Sequence, residues 1–534
     1  MNNRLTYIVF FVIQFLVAAS GQNKPDRNVL TEEYVFSIDR TVYVAGEDIF
    51  FSAYNLQQHS ISSTVFYVDI VTEEGTAVSK ACYFINSGKT SGKVRLPADL
   101  PDGIYKVRGY TRVMRNFGLN SFNTVIINVI NPTYKNSKYF YSDSNVVKNM
   151  GGILFHDSIL THTRSEVRLS VKSKHRFNKI LSISVVPEVS LTAGTFSQSN
   201  LISGDSFSIS PELRGQMVSG KVDMNSVSSQ SYDIRMYYSS PGSYPVFLIS
   251  RIDSLGQFCF ELPPGLGKQI YIVNSDLQYL SFKVLAEYET EGNSFSVHKT
   301  MIENEKILEL YKKMMLNAQI ANRFVEKHEE EKSRSFYGKP EIIIDTDDFI
   351  ELPSVTEYIN ELSTHVLIQS QSDTKKFLIL DGLKKIVDRS YSPLVLVDDI
   401  YYSNINNILE INPLLLDRFE IIDRKFIVGD YTFSGLINIK SDDRNLAGLK
   451  LQKNAVTGTI EYCQQPFYGK WISDSDINSV KPLVQNCIYW NTDISLNEDV
   501  RFNTGDIKTN YVIKICGLDS NNKPLIQYQR LIVN

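Results

Sequence analysis

The sequence predicts a mainly β protein: β-sandwiches in series, one small mixed α/β unit and a connecting helix. Three observations predict it. The aromatic load is 30 Tyr and 29 Phe against 2 Trp, set among Val, Ile and Thr alternations that suit pleated, half-buried strands. Short period-two runs recur along the chain, bounded by Gly, Pro, Asn or Asp. One stretch near 299–332 changes to helical spacing. With 534 residues, several domains of roughly 100–200 residues each are expected.

Residues 1–21 read as a signal peptide. Arg4 supplies the positive end, Tyr7 to Val17 is apolar except for Gln14, and Ala19-Ser20-Gly21 offers small residues for cleavage. The apolar run is shorter than the ~20 residues of a membrane span; an uncleaved anchor is the alternative. No Cys lies near the cleavage point, so lipid anchoring is not supported, and the mature chain is expected from Gln22. Fifty-five basic and 59 acidic residues give a formal net charge of −4, with no basic stretch to hold a nucleic-acid backbone. Five cysteines, Cys82, Cys259, Cys463, Cys487 and Cys516, exclude complete intramolecular pairing. One disulfide among Cys463, Cys487 and Cys516 fits an oxidising compartment; the plainer reading makes each a small buried hydrophobe.

Residues 22–133 read as a first sandwich. Thr41–Tyr54 is a strand, a tight turn at Gly46 and a second strand, with Val42/Val44 and Ile49/Phe51 sharing faces. Asp102-Gly103 is a turn signal before the strand Ile104–Tyr110, and Val125–Val129 closes the unit before Asn131-Pro132. Residues 134–205 read as a second sandwich, from alternation in Val167–Val171 and Leu181–Val186. Residues 206–292 read as a third, with Phe247–Ile249, a turn at Gly256, Phe258–Phe260 and Ile270–Val273. In 293–335, Ile307, Leu308, Tyr311, Met314, Met315, Ala318, Ala321, Phe324 and Val325 recur at helical spacing. Glu329–Glu331 argue against an anionic membrane surface. A helix packed on its neighbours is expected, with a partner-binding helix as the alternative. Residues 336–450 form the mixed unit, in which Ser354 and Glu357 mark a helix start. Residues 451–534 return to β and read as a final sandwich, from Ile488–Asn491, Val500–Thr504 and Tyr511–Gly517.

Four stretches carry resemblances. Asp39-Arg40-Thr41-Val42-Tyr43 through Gly46-Glu47, with Leu96 to Tyr105, resembles a macroglobulin-type domain of the alpha-2-macroglobulin superfamily, and 134–205 is taken as a second, macroglobulin-like one. Gly109 to Gly118 resembles a subset of bacterial outer-membrane-associated proteins that join this domain to a plug-like region. Gly256-Gln257-Phe258 resembles the carboxypeptidase-regulatory-like, immunoglobulin-type module, and 451–534 is taken as immunoglobulin-like. Within Pro393–Lys440, Leu394–Val397, Asp398-Asp399, Asn412-Pro413, Phe419–Ile422 and the Gly429/Gly435-bracketed run into Ile439 resemble the plug domain of TonB-dependent outer-membrane receptors. Asp399 stands where that family has Gly. Too few residues follow Lys440 for a barrel of about 22 strands.

The sequence offers no catalytic, cofactor or metal site. GxSxG, HExxH, Walker-type and GxGxxG motifs are absent, as is the thioester Cys-Gly-Glu-Gln of macroglobulins. His156 and His162 lack further ligands, and the Asp345, Asp347, Asp348 cluster lacks the spacing of a calcium loop. Asp398-Asp399 is a poor carboxylate pair if the two lie in a strand, where neighbours face oppositely, and is exposed if it forms a turn. What the resemblances imply is a non-enzymatic exported interaction protein, outer-membrane-associated on the periplasmic or cell-surface side, docking onto an outer-membrane β-barrel complex. No nucleic acid and no membrane span are expected. The alternative is a glycan- or peptide-binding accessory subunit of a nutrient transporter; the aromatic load would permit sugar stacking, with Trp490 in a suggestive phrase beside Trp471, although tyrosines at strand periodicity are more often sandwich core. A protease trap is disfavoured by the missing thioester.

Overall fold

The computed structural model describes residues 30–57, 61–133, 139–141, 158–170, 177–204, 207–226, 234–242, 244–265, 267–277, 279–289, 294–301, 304–324, 335–371, 374–496 and 499–534. The expected signal peptide (1–21), His156, Val325 and Glu329–Glu331 lie outside the described residues. The chain is mainly β, in many small sheets. Among the described residues, no helix is long and apolar enough to cross a membrane.

The first sandwich has a four-stranded sheet (Phe196–Gln198, Tyr34–Ile38, Asp48–Asn55, Lys89–Arg95) and a five-stranded one (Val42–Val44, Asn123–Ile130, Gly103–Tyr110, Val65–Val71, Ala77–Phe84). The turn expected at Gly46 forms, with Glu47 N donating to Val44 O at 3.0 Å. It does not close a hairpin. Val42–Val44 pairs in parallel with Asn128–Ile130, while Asp48–Asn55 joins the opposite sheet. Side chains from both sheets, Phe36, Phe51 and Phe66 among them, fill one core. A Cβ on Gly109 would stand 2.9 Å from both Phe36 and Phe66, so only glycine lets that strand approach them.

Segments 134–205 and 451–534, separate in the sequence reading, share one sheet. Its order is Ile159–Thr161, Pro524–Val533, Asn510–Leu518, Lys179–Pro187, Tyr489–Asn491, Gly469–Trp471. Glu166–Ser170 pairs with Asp499–Asn503 to cover it. The rest of the earlier segment turns back: Phe196–Gln198 pairs with the first sandwich, and Ile202–Gly204 with Leu30–Glu32. Among the described residues, segment 134–205 therefore builds no sandwich of its own. Its alternation marks strands, but alternation carries no information about which strand pairs with which.

The 207–289 sandwich has sheets of three and four strands, and its fourth strand, Val456–Glu461, comes from beyond 450. The helix Glu305–Arg323 is capped by Asn304, whose side chain accepts from Lys306 N at 3.0 Å. It buries Tyr311, Met314, Met315 and Ala318 on Val42, Val44 and Ile130; Phe324, on the predicted stripe, is exposed.

The mixed unit forms a five-stranded sheet in the order Ile342–Asp345, Leu416–Ile422, Leu436–Ser441, Leu394–Val397, Ile400–Tyr401. Leu394–Val397 and Leu436–Ser441 run parallel, and the other pairs are antiparallel. Asn404 caps the short helix Ile405–Leu409, and Asn412-Pro413 opens a single 3₁₀ turn. One sheet face (Val395, Val397, Phe419, Ile421, Ile437, Ile439) packs on the unit's own helices. The other (Leu394, Leu396, Ile422, Leu436) packs on Tyr237 and Phe247 of the 207–289 sandwich. Tyr237 and Tyr401 stack with centroids 3.7 Å apart.

Candidate functional site

Buried polar networks lie at two joints between units: the stretch Asp39–Glu47, which carried the macroglobulin resemblance, builds the first, and Gly109–Gly118, which carried the outer-membrane-associated one, builds the second. At the first joint, Arg40 bonds Asp39 (2.6 Å) and Glu47 (2.7 Å), and Tyr43 Oη donates to Asp39 at 2.7 Å. The network then reaches other units. Asn486 Nδ2 donates to Glu47 (2.8 Å) and to Met314 O in the long helix (3.0 Å). Ser184 Oγ donates to Asp39 O at 3.2 Å, and buried Lys514 donates to Ile38 O and to Thr195 Oγ1. Burial lowers the Lys514 pKa to about 8.

The second joint ties the first sandwich to the 207–289 sandwich through Gly109–Gly118. Fully buried Arg112 donates to Met217 O at 3.0 Å and to Ser219 Oγ, and faces Glu212 at 3.8 Å. Arg115 pairs with Glu289 at 3.3 Å and caps the carbonyls of Ala286 and Glu287. Glu212 accepts from Tyr67 Oη (2.8 Å) and Met217 N (2.9 Å). Gln216 is the hub of this joint. Its Nε2 donates to Glu287 Oε1 and Glu461 O and reaches Cys82 Sγ at 3.7 Å; its Oε1 accepts from Cys463 N at 2.9 Å. Burial pushes Glu212 up to about 7 against the opposing pull of Arg112. Burial pushes Glu287 up to about 8, and Glu212 nearby adds to the rise. A cavity of about 190 Å³ adjoins, lined by Lys80, Tyr271, Glu287, Tyr288 and Thr459 among others. Burial also raises the Cys82 and Cys463 thiols, which suppresses the thiolate a nucleophile needs. This joint can hold protons near neutral pH and can lock two units together; it is not arranged to attack a substrate.

Asp398 and Asp399 are neither in a strand nor exposed. They form a two-residue hairpin turn between Val397 and Ile400, both with positive φ (49° and 68°), and both are buried. Their carboxylates have separate partners. Asp398 accepts from Ser441 N, Ser441 Oγ and Leu446 N at 2.6–2.8 Å. Asp399 accepts from Lys440 Nζ (2.6 Å) and Asn438 Nδ2 (2.8 Å). Asp399 therefore supplies an anchor for a buried lysine that Gly could not supply.

His162 and the Asp345, Asp347 and Asp348 carboxylates are exposed. Among the described residues, no group of three or more metal-ligating side chains exists. Trp490 is fully buried, stacked on Phe50 at 6.1 Å, so it is a core residue and not a sugar platform; Trp471 is exposed. None of the five cysteines is bridged in this structure. Cys463 lies in the first-sandwich core, Cys487 beside Trp490, and Cys516 against Ser37, so these three do not gather; Cys259 is exposed rather than buried. Arg112, Glu212, Gln216 and Glu287 escaped the sequence reading. Only the two arginines in Gly109–Gly118 hinted at a joint there.

No protein-family model and no curated protein matches the chain. Among solved structures, Salmonella alpha-2-macroglobulin reacted with methylamine aligns at 8% identity over 94% of this chain and 23% of its own, with a TM-score of 0.16. Native E. coli alpha-2-macroglobulin aligns at 8% over 96% and 40%, TM-score 0.23. The E. coli protein activated by porcine elastase gives 8%, 94% and 44%, again at 0.23. The chain spans less than half of each of these proteins. At such scores the overall arrangements do not superpose, and the β-sandwich assignment rests on the strand pairing described above.

Proposed function

We propose that this is an exported, non-catalytic interaction protein that docks onto an outer-membrane β-barrel complex through its 336–450 unit. The supporting observation is an exposed apolar end on that unit. Phe349, Ile350 (82% exposed), Leu414 and Leu415 stand in solvent. Thr346 Oγ1 donates to Leu416 O (2.5 Å) and Asp417 O (2.8 Å), which holds the two short segments side by side. Apolar surface gathered on one such edge favours a partner. One face of the unit's sheet lies against the 207–289 sandwich, which supports docking by the free end over filling a barrel as a plug.

The test is co-purification from detergent-solubilised outer membranes with Phe349→Asp, Ile350→Asp and Leu414→Asp combined, folding being checked by circular dichroism. The expected result is a barrel protein retained by the native chain and lost at least tenfold by the variant. Undiminished association would refute the assignment of this surface, and a monomer that binds oligosaccharide in calorimetry would refute docking itself.

A second reading, a peptide-binding accessory subunit, is favoured by one feature. A cleft of about 760 Å³ opens between the first sandwich, the long helix and the C-terminal segment, and carries Lys80, Lys93, Arg95, Lys470 and Lys481. Asp48, Glu461 and Asp476 line it as well, and Asp48 pairs with Lys93 and Arg95, so the lining is mixed with a modest basic excess and suits a ligand carrying a carboxylate.

A further inference from the structure

We propose that Cys82 and Cys463 are the site of a structural disulfide, which fastens the chain after the strand Val456–Glu461 to the first sandwich. The two residues are far apart in sequence and adjacent in space. Gln464 N donates to Cys82 O at 2.9 Å, and Phe84 N donates to Gln464 O at 2.9 Å. These bonds form a parallel bridge of Tyr83 with Gln464, which sets Cys82 beside Cys463. Neighbouring strands lie about 4.8 Å apart, inside the range of roughly 4.4–6.8 Å that a disulfide spans between Cα atoms. Side chains at paired positions of parallel strands lie on the same face, and both cysteines belong to the same core cluster. Cys82 Sγ donates to Glu461 O at 3.3 Å, two residues before Cys463 in the chain. Gln216 holds both residues, reaching Cys82 Sγ and accepting from Cys463 N. Cys259, Cys487 and Cys516 stand in other surroundings.

The step is a two-electron oxidation. Cys82 and Cys463 lose two protons and two electrons as the S–S bond forms. An exogenous disulfide, of the glutathione or dithiol-oxidoreductase class, accepts them and is reduced to its thiols. Exchange requires a thiolate to reach the oxidant. Both thiols are buried in the closed joint, so the bond forms as the chain folds and then resists reduction. The loop it closes holds about 380 residues, and long loops constrain the unfolded chain most. Inside that loop lie the 207–289 sandwich, the long helix and the 336–450 unit, so the bond would also fix the frame that presents the docking end. The inference does not depend on docking.

The test refolds the full chain in oxidised and reduced glutathione, denatures it in excess N-ethylmaleimide and maps the peptides by mass spectrometry. The expected result is three alkylated cysteines (Cys259, Cys487, Cys516) and one peptide pair joining Cys82 to Cys463, 2 Da lighter than the two reduced peptides. Cys82→Ser is expected to leave Cys463 alkylated. The native chain alone decides the matter, even if that variant fails to fold. Five alkylated cysteines, or a bridge to any other partner, would overturn the proposal.

Discussion

Replacing Glu287 by Gln is expected to flatten the loss of stability that the native chain shows between about pH 5 and pH 8. Glu287 holds its proton up to about pH 8 in the folded joint, while in the unfolded chain it ionises near the ordinary glutamate value of about 4.3. Below both values the two states are equally protonated, and the folded state keeps its full stability. Between them the unfolded chain has released a proton that the folded chain keeps. Stability therefore falls by about 1.4 kcal/mol per pH unit as pH rises, and it levels off above the folded value. Over the whole window the loss is at most about 4–5 kcal/mol for this one group. Gln keeps an acceptor for Gln216 and does not ionise, so it removes that slope. Glu212, with a value of about 7, remains in both proteins and leaves a residual slope. The assay is urea unfolding at pH 5, 6, 7, 8 and 9, with hydrogen exchange at the Met217 and Cys463 amides reporting the joint. Glu287→Gln should exceed the native chain by only about 1 kcal/mol at pH 5 and by several kcal/mol at pH 8. Parallel pH profiles for the two proteins would refute the argument.

Asp399→Gly relieves a positive φ but leaves Lys440 buried without its counter-charge. Breaking such a pair costs about 3–5 kcal/mol, more than the turn gains, so the urea midpoint should fall; adding Lys440→Met should recover much of it, and an unchanged midpoint for Asp399→Gly contradicts the anchor role. Gly220→Ala places a Cβ 2.2 Å from Phe258 Cζ and 2.4 Å from Lys283 O. Overpacking between paired strands should cost about 1–3 kcal/mol, read as a lower thermal midpoint, and a neutral result would mean that this sheet opens easily.

How much of the molecule is legible depends on the range of the interaction. Gly46 and Ser354 act on their immediate neighbours, and their turn and cap form where the sequence places them. The face of the long helix that carries Tyr311, Met314, Met315 and Ala318 is likewise written in spacing. Asp398-Asp399 shows the limit of that reading. A turn is a local event, but whether its carboxylates meet water or Lys440 and Ser441 depends on a strand some 40 residues away. The joints were less legible still. Arg112 and Glu212 are ordinary charged residues until folding buries them together, and desolvation then makes each depend on its partner.

The sequence by itself determined that the chain is mainly β, which residues alternate, where turns and caps fall, and that 336–450 is a mixed unit. These follow from steric preferences and periodicity within a few residues. Tertiary structure decided the partners. It gave Lys179–Pro187 to the C-terminal strands and Val456–Glu461 to the 207–289 sandwich, and it set Cys82 beside Cys463. A strand's two edges offer the same backbone donors and acceptors to any neighbour, so only the global packing of apolar faces and buried charges selects among them.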